Sequence, residues 1–383
     1  MKIYLDNNAT TRIAPEVLDA MLPFLTERFG NPSSFHSFGS GIVEDIEAAR
    51  EKVAALIGAN AEEIVFTSGG TESDNTALIG ATAINPLKPG LVISRIEHPA
   101  VLETAEYIRN KGHPVGISEV NSDGTLNMNS LESCISERTG LVSIMMANNE
   151  TGVIMPVAEA ARNAHESGAL FHTDAVQAAG KIPVDVESMD IDMLSISAHK
   201  LHGPKGAGAL FIRNGTNISP FMLGGHQEKG MRAGTYNVAG IVGLGVAAEL
   251  AIRYLSEGNG RTGVLLERLE RGILESCPGA VIAGANAGRL PNTATVLFRG
   301  VESEAVMTLL DMEGICVSSG SACSTGEESP SYVLAAMGIN TVDANTALRF
   351  SLSRYTTGRE IDYVLEILPP IIEKLREISP YAK

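Results

Sequence analysis

Cysteine is scarce in this chain of 383 residues, and what there is comes unpaired: Cys134, Cys277, Cys316 and Cys323 form no C-x-x-C motif. Their spacing offers neither a disulfide framework nor a zinc knuckle, which fits a reducing, cytoplasmic setting. Charge is sparse as well. Only 19% of residues are Asp, Glu, Lys or Arg, against roughly 25% in an average soluble protein. Much of the chain must therefore be buried, and a subunit interface would account for part of that. Positive charge is the scarcer sign, with 29 Lys and Arg against 45 Asp and Glu and a net charge of −16. Most of the exterior repels phosphate backbones and anionic lipid, which argues against nucleic acid and membrane partners. Long hydrophobic runs are missing too. Asp6 interrupts the N-terminus before the apolar core of a signal peptide can form. The longest conspicuously apolar uncharged stretch, residues 233–248, includes Thr235, Tyr236, Asn237 and four glycines. It is expected to fall short of a membrane span. No pair of histidines has H-E-x-x-H or comparable ligand spacing, so no metal site is expected.

The length exceeds the roughly 100 to 200 residues of a usual domain, so two domains are the default. From Pro15 to about Ala248, apolar β-rich runs alternate with helical patterns. Residues 64–66, 91–93, 141–146, 169–171, 193–196 and 209–212 read as short buried strands. Thr71-Glu-Ser-Asp before an apolar run, Pro99 after His98, and Pro156 before residues 157–165 suit the first turns of helices. The alternation predicts an α/β fold with a mostly parallel sheet covered on both faces. The Gly258-Asn-Gly260 break marks a boundary. It separates a large domain, 13–257, from a smaller α+β domain, 258–383, against which residues 1–12 are expected to pack. In the second part, helices are expected at 261–275, 302–313 and 359–378, with a strand near 295–298.

Three segments carry chemistry. In the first, Asp192 to Gly208, a strand delivers Ser197, His199 and Lys200 onto a turn, and Gly203-Pro-Lys-Gly206 lets backbone pass close to something bulky. A lysine ending a buried strand beside hydroxyl and imidazole donors is what a Schiff-base lysine needs, because the amine must be desolvated enough to lose its proton. An ordinary solvated lysine on a surface turn is the alternative. The second segment, Phe171 to Gln177, places Asp174 at the end of an apolar strand. A buried carboxylate there is costly unless a cation such as a pyridinium nitrogen meets it, whereas a helix N-cap is the commoner role. The third, Thr67-Ser-Gly-Gly-Thr-Glu72, is a strand-to-helix turn whose amides and dipole favour an anion. It matches neither G-x-G-x-x-G nor G-x-x-x-x-G-K-[ST], so nicotinamide and ATP are not supported.

Together these elements resemble the fold-type I pyridoxal phosphate enzymes, and within them the NifS/IscS-like cysteine desulfurases of the class V aminotransferase superfamily. The resemblance runs in order through Tyr4 to Thr11, Phe29 to Ser34, Thr67 to Ser73, Glu97-His98-Pro99, Asn148 to Gly152, His172 to Gln177, Ser197 to Gly206, Gly224 to Gln227, Met231 to Thr235, Ser318 to Cys323 and Arg349 to Arg354. It implies a seven-stranded, mostly parallel sheet in the large domain and a homodimer. It implies that Lys200 holds pyridoxal phosphate covalently and moves protons at the substrate α carbon, and that Asp174 keeps the pyridine nitrogen protonated. Gln177 would bond the ring's phenolic oxygen, and His98 would stack on the ring and act as an acid or base. Gly70, Thr71, Ser197 and His199 would hold the phosphate, Thr235 would reach the phosphate of the other subunit, and Asn149 and Arg349 would bind the substrate carboxylate.

Cys323 separates this reading from a generic aminotransferase. It lies in a polar, glycine-containing stretch expected to be an exposed loop, where a thiolate could attack the substrate sulfur. Cys134 and Cys316 suit packing better, and Cys277 precedes a Pro-Gly turn. The implied reaction converts L-cysteine to L-alanine with a persulfide on Cys323, bound for an acceptor such as an iron–sulfur scaffold protein; Cys323 could also be a transient cluster ligand. A selenocysteine lyase, an aminotransferase of the same fold, or a cofactor-free binding subunit are the alternatives. Gly70 stands where alanine is common in the family, and Glu327 and Glu328 follow the cysteine.

Overall fold

The computed structural model describes residues 2–257, 260–319 and 330–379. Its main sheet has seven strands, ordered in space Ile64–Thr67, Gly208–Ile212, Met193–Ser197, Leu170–Asp174, Thr139–Ser143, Gly90–Ser94 and Val115–Ser118. Only Gly208–Ile212 runs against its neighbours; the others share one direction. Leu91, Val92 and Ile93 are each 1% exposed although alternate residues point to opposite faces, so both faces are covered. Val92 accordingly joins one apolar cluster while Leu91 and Ile93 join another. Strand Val115–Ser118, absent from the sequence reading, is an edge strand with half-exposed residues. An edge needs little apolar pattern to form, because only one neighbour and part of one face hold it.

Helix starts follow the local chemistry. His98 caps Pro99–Asn110 with proline in the first turn, and Val157–Glu166 begins directly after Pro156. The apolar stretch expected to fall short of a membrane span proves longer, because helix Val238–Ser256 starts at the Asn237 cap and runs past Ala248. By length and composition it could cross a membrane, yet more than half of it is buried in the protein. It crosses helix Ile42–Ile57 so closely that a Cβ on Gly245 would lie 2.7 Å from Ala49 Cα.

A second, antiparallel sheet orders its four strands Ser318–Ser319, Ala347–Ser351, Thr293–Phe298 and Ala280–Ile282. With helices Gly260–Ser276, Ser303–Met312 and Gly358–Ile378 it encloses a separate core around Leu269, Phe298, Phe350 and Leu368. Ile3 and Leu5 enter that core, and strand Ile3–Tyr4 pairs in parallel with Ile315–Cys316. The N-terminal segment thus forms a separate two-stranded sheet beside the second core before the chain enters the large sheet.

Candidate active site

A cavity of about 290 Å³ lies at the carboxyl ends of the parallel strands, the edge of an open α/β sheet where ligands bind. Gly70, Thr71, His98, Asn149, Asp174, Gln177, Ser197, His199, Lys200 and Arg349 all line it. The sequence reading named each of them, and the topology gathers them from 280 residues of chain. Two further expected residues are not among them. Thr235 is exposed away from this wall, and Cys323 lies outside the described residues.

Lys200 sits in a short 3₁₀ turn, Ala198–Lys200, directly after strand Met193–Ser197. Its Nζ donates to the backbone carbonyls of Asn8 and of Ala9, the latter at 2.7 Å, so the lysine is half-buried and held, not a free surface group. Of the run Gly203 to Gly206, a Cβ on Gly203 would lie 2.8 Å from Ala198 O, whereas one on Gly206 would meet nothing within 4 Å; the closer approach comes two residues later. A Cβ on Gly208 would lie 2.5 Å from Gly69 Cα, so the strand presses against the glycine-rich turn at the start of helix Gly70–Ile84. That helix presents its N-terminal amides to the cavity beside Thr71 and Ser197. His199 completes this corner. Its Nδ1 lies 3.1 Å from Thr10 Oγ1, and burial, reinforced by Lys200 and Lys205, pushes its pKa down to about 4, so the imidazole is neutral.

Asp174 ends strand Leu170–Asp174 and is 6% exposed. It caps no helix; its Oδ1 accepts from Val176 N at 2.8 Å in a turn, which removes the N-cap alternative. Burial pushes its carboxyl up, opposed by His98 and Lys200. His98 accepts the N–H of Ala100 at Nδ1, 3.1 Å away, so its proton belongs on Nε2; burial lowers its pKa and keeps the ring neutral. Arg349 stands mid-strand in Ala347–Ser351, 3% exposed. It donates to Asn149 O at 3.1 Å and to Asp6 Oδ1 at 2.8 Å. Among the described residues, its Nε and the neighbouring Asn149 Oδ1 are buried without a hydrogen-bond partner. Gln177 donates from Nε2 to Asn8 O at 2.9 Å.

The class-V aminotransferase family model matches residues 3–364. The chain belongs to that family. It is 52% identical over 382 residues to a cysteine desulfurase of Cereibacter sphaeroides, covering 99% of this chain and 98% of the relative. It is 48% identical to the cysteine desulfurase NifS of Azotobacter vinelandii over 99% and 94% of the two chains. A solved NifS-like protein superposes with a TM-score of 0.91 at 41% identity, over 99% of this chain and all of the other. The chain is thus a class-V aminotransferase of the NifS-like cysteine desulfurase kind, a group that uses pyridoxal phosphate.

The residues of this class-V site fit that cofactor. The cavity wall brings together an anion cradle at a helix N-terminus, the buried Asp174 carboxyl, Lys200 and the His98 imidazole, and the last two both act electrostatically on that carboxyl. Gly70 belongs to the cradle. A Cβ there would lie 2.7 Å from Val176 Cγ2, so in this chain valine takes the space that an alanine at position 70 would need. Among the described residues no cluster of His, Cys, Asp or Glu could hold a metal. The sequence reading passed over three residues of the site. Asn8, inside the matched stretch Tyr4–Thr11, donates from Nδ2 to Asn149 O at 3.0 Å and to Thr293 Oγ1 at 2.9 Å, tying the N-terminal segment to the Asn149 turn and to the second sheet. Asp74 lies one turn beyond Gly70 on the same helix face and also lines the cavity. It is buried, and burial with Asp174 nearby pushes its carboxyl well up. Lys181 bonds Gln177 from behind. His172, given no chemical role, is fully buried between Ser143 Oγ and Ser195 Oγ, which braces adjacent strands.

Proposed function

We propose that this chain converts L-cysteine to L-alanine and leaves the sulfur as a persulfide on Cys323. The observation that carries the reading is the convergence of ten expected residues on one cavity. Bound pyridoxal phosphate supplies an electron sink for the pair released at the substrate α carbon. Lys200 holds it covalently and moves the proton at that carbon. Asp174 accepts a hydrogen bond from the ring nitrogen, whose positive charge offsets the cost of burying a carboxylate. Gln177 would donate to the phenolic oxygen, His98, whose proton is on Nε2, would stack on the ring, and Gly70, Thr71, Ser197 and His199 would hold the phosphate. Asn149 and Arg349 bind the substrate carboxylate, for which the buried Nε of Arg349 is an unused donor.

Cys323 is supported by elimination among four cysteines. None of the three described cysteines lines the cavity. Cys277 is 1% exposed, in the core rather than in the turn beside it, and burial raises its pKa. Cys316 is half-buried with its thiol near Asp311 Oδ1 at 3.6 Å, and burial with that carboxylate also raises its pKa. Cys134 donates to Ile117 O at 3.4 Å. The segment that holds Cys323 leaves from Ser319, paired with Leu348 next to Arg349. It rejoins the described chain ahead of Ser331, which donates to Glu150 Oε2 beside Asn149 at 2.5 Å. Both flanks are therefore tied to chain neighbours of Arg349 and Asn149, two residues of the cavity wall. The Cys323 thiolate attacks the substrate sulfur, the Cβ–S bond breaks with its electrons left on carbon, and Cβ takes a proton to give alanine. The persulfide then passes to an acceptor protein such as an iron–sulfur scaffold.

The same reading places the enzyme in the cytoplasm as a homodimer in which Thr235 meets the phosphate of the other copy. Phe29, Phe35, Phe38, Leu22 and Leu25 are exposed together on the N-terminal helical region, and Phe35 has its whole side chain in solvent; a second copy would bury them. The test is quantitation of alanine and of enzyme persulfide from L-cysteine, alongside keto acid formation from ordinary amino donors. Alanine with persulfide supports the reading; keto acid without persulfide would return the chain to the aminotransferases.

A further inference from the structure

Lys181 follows the turn that carries Gln177 and bonds two amide side chains there. Its Nζ donates to Gln177 Oε1 at 2.6 Å and to Asn8 Oδ1 at 3.2 Å. With its carbonyl oxygen engaged in this way, the Gln177 amide can turn only its NH₂ toward the cavity. That NH₂ donates to Asn8 O at 2.9 Å, and the same carbonyl accepts from Lys200 Nζ. One backbone oxygen therefore marks the point where the Gln177 donor and the Schiff-base lysine meet. In pyridoxal phosphate the ring carbon that carries the phenolic oxygen is next to the one that carries the aldehyde carbon, the carbon to which such a lysine bonds.

We propose that Lys181 is a positioning residue that fixes the hydrogen-bond polarity of Gln177, so that Gln177 meets the cofactor's phenolic oxygen as a donor and never as an acceptor. The inference rests on the assignment of Gln177 to that oxygen. An amide free to flip would offer its carbonyl to an oxygen that carries negative charge, a repulsive contact, for part of the time. A lysine suits the task because its N–H groups meet two amide oxygens, Gln177 Oε1 and Asn8 Oδ1, which favours the carbonyl end of Gln177 facing it. Burial, with Lys200 and Arg349 as like charges nearby, pushes the Lys181 amine well down, and His202 and Arg354 line the small cavity on its other side.

The experiment follows the visible band of the Lys200-linked cofactor against pH in the full-length, cofactor-loaded enzyme. A donor to the phenolic oxygen competes for the proton shared between that oxygen and the Schiff-base nitrogen, so losing it raises the transition pH. Lys181→Met should raise the transition by about one pH unit, the scale of one hydrogen bond to a charged group. Gln177→Ala should raise it similarly, and the double variant should move no further than Gln177→Ala alone. Lys181→Gln, which retains an N–H donor and loses the amine, should stay near the native transition. It also keeps the proposal falsifiable if Lys181→Met does not fold. Additive shifts, or Lys181→Gln moving like Lys181→Met, would show that Lys181 acts by charge alone and would overturn the proposal. A shift with Gln177→Ala and none with Lys181→Met would overturn it while leaving the Gln177 assignment standing. No shift with Gln177→Ala would overturn that assignment and this proposal with it.

Discussion

Glu97 is completely buried beside the active-site histidine. Its Oε1 accepts from Ser94 Oγ at 2.5 Å and from Met145 N at 2.9 Å, while Oε2 has no partner among the described residues. Burial pushes its carboxyl from 4.5 up to about 8. The folded chain therefore keeps a proton that the unfolded chain releases, and this group's contribution is lost as pH rises from about 4.5 through about 8. Glu97→Gln mimics the neutral acid, so its stability relative to the native enzyme should climb across that window by at most about 1.4 kcal/mol per pH unit and then level off. Denaturant unfolding at several pH values reads this directly, and a gap independent of pH would show that Glu97 is ionised. Gly70 makes a steric prediction. Gly70→Ala should cost about 1–3 kcal/mol by overpacking against Val176, and adding Val176→Ala should recover most of the loss. Equal costs with and without Val176→Ala would contradict the packing account. Lys200 with Ser197 and His199, Asp174 and the glycine-rich turn at Gly70 were legible in the sequence from their chemistry, and the other expected side chains that line the cavity from the motifs that carry the family resemblance. Asn8, Asp74 and Lys181 were not, because their roles come from hydrogen bonds and packing between segments far apart in the chain.

Among the elements, helix Ile42–Ile57 and strand Ile64–Thr67 are clamped by a buried ion pair. Arg50 NH1 donates to Glu228 Oε2 at 2.7 Å and to Ile64 O at 2.7 Å, and the same Glu228 oxygen accepts from Phe66 N at 2.7 Å. Glu228 is held at φ 46°, a left-handed conformation unfavourable for its type, so the clamp also restrains the 3₁₀ turn Gln227–Gly230. Glu228→Ala should cost about 3–5 kcal/mol, because it strands a buried guanidinium. Glu119→Ala, which breaks the half-exposed pair with Arg95, should cost less than about 1 kcal/mol. Thermal and denaturant unfolding of the two variants side by side would refute this ranking if the costs were equal. The inner strands were legible as apolar runs because both their faces are covered. The edge strand Val115–Ser118 and the strands Ala280–Ile282 and Ala347–Ser351 were not, since pairing with neighbours, more than composition, makes them strands.

For the whole molecule, low charge content pointed to burial beyond a single core, and the exposed aromatic group around Phe35 is where a second copy would bury it. Light scattering should find two chains per particle, and Phe35→Asp should yield monomers that bind the cofactor at least about tenfold more weakly, since Thr235 of the other copy would be lost. A cofactor-loaded monomer of undiminished affinity would contradict the shared site. The central claim concerns sulfur, and peptide mass analysis after a single turnover tests it most directly. Cofactor-loaded enzyme given one equivalent of L-cysteine should add one sulfur atom to the peptide carrying Cys323, match it with one alanine, and lose both signals in Cys323→Ala. Sulfur on Cys134, Cys277 or Cys316, or undiminished persulfide in Cys323→Ala, would contradict the account.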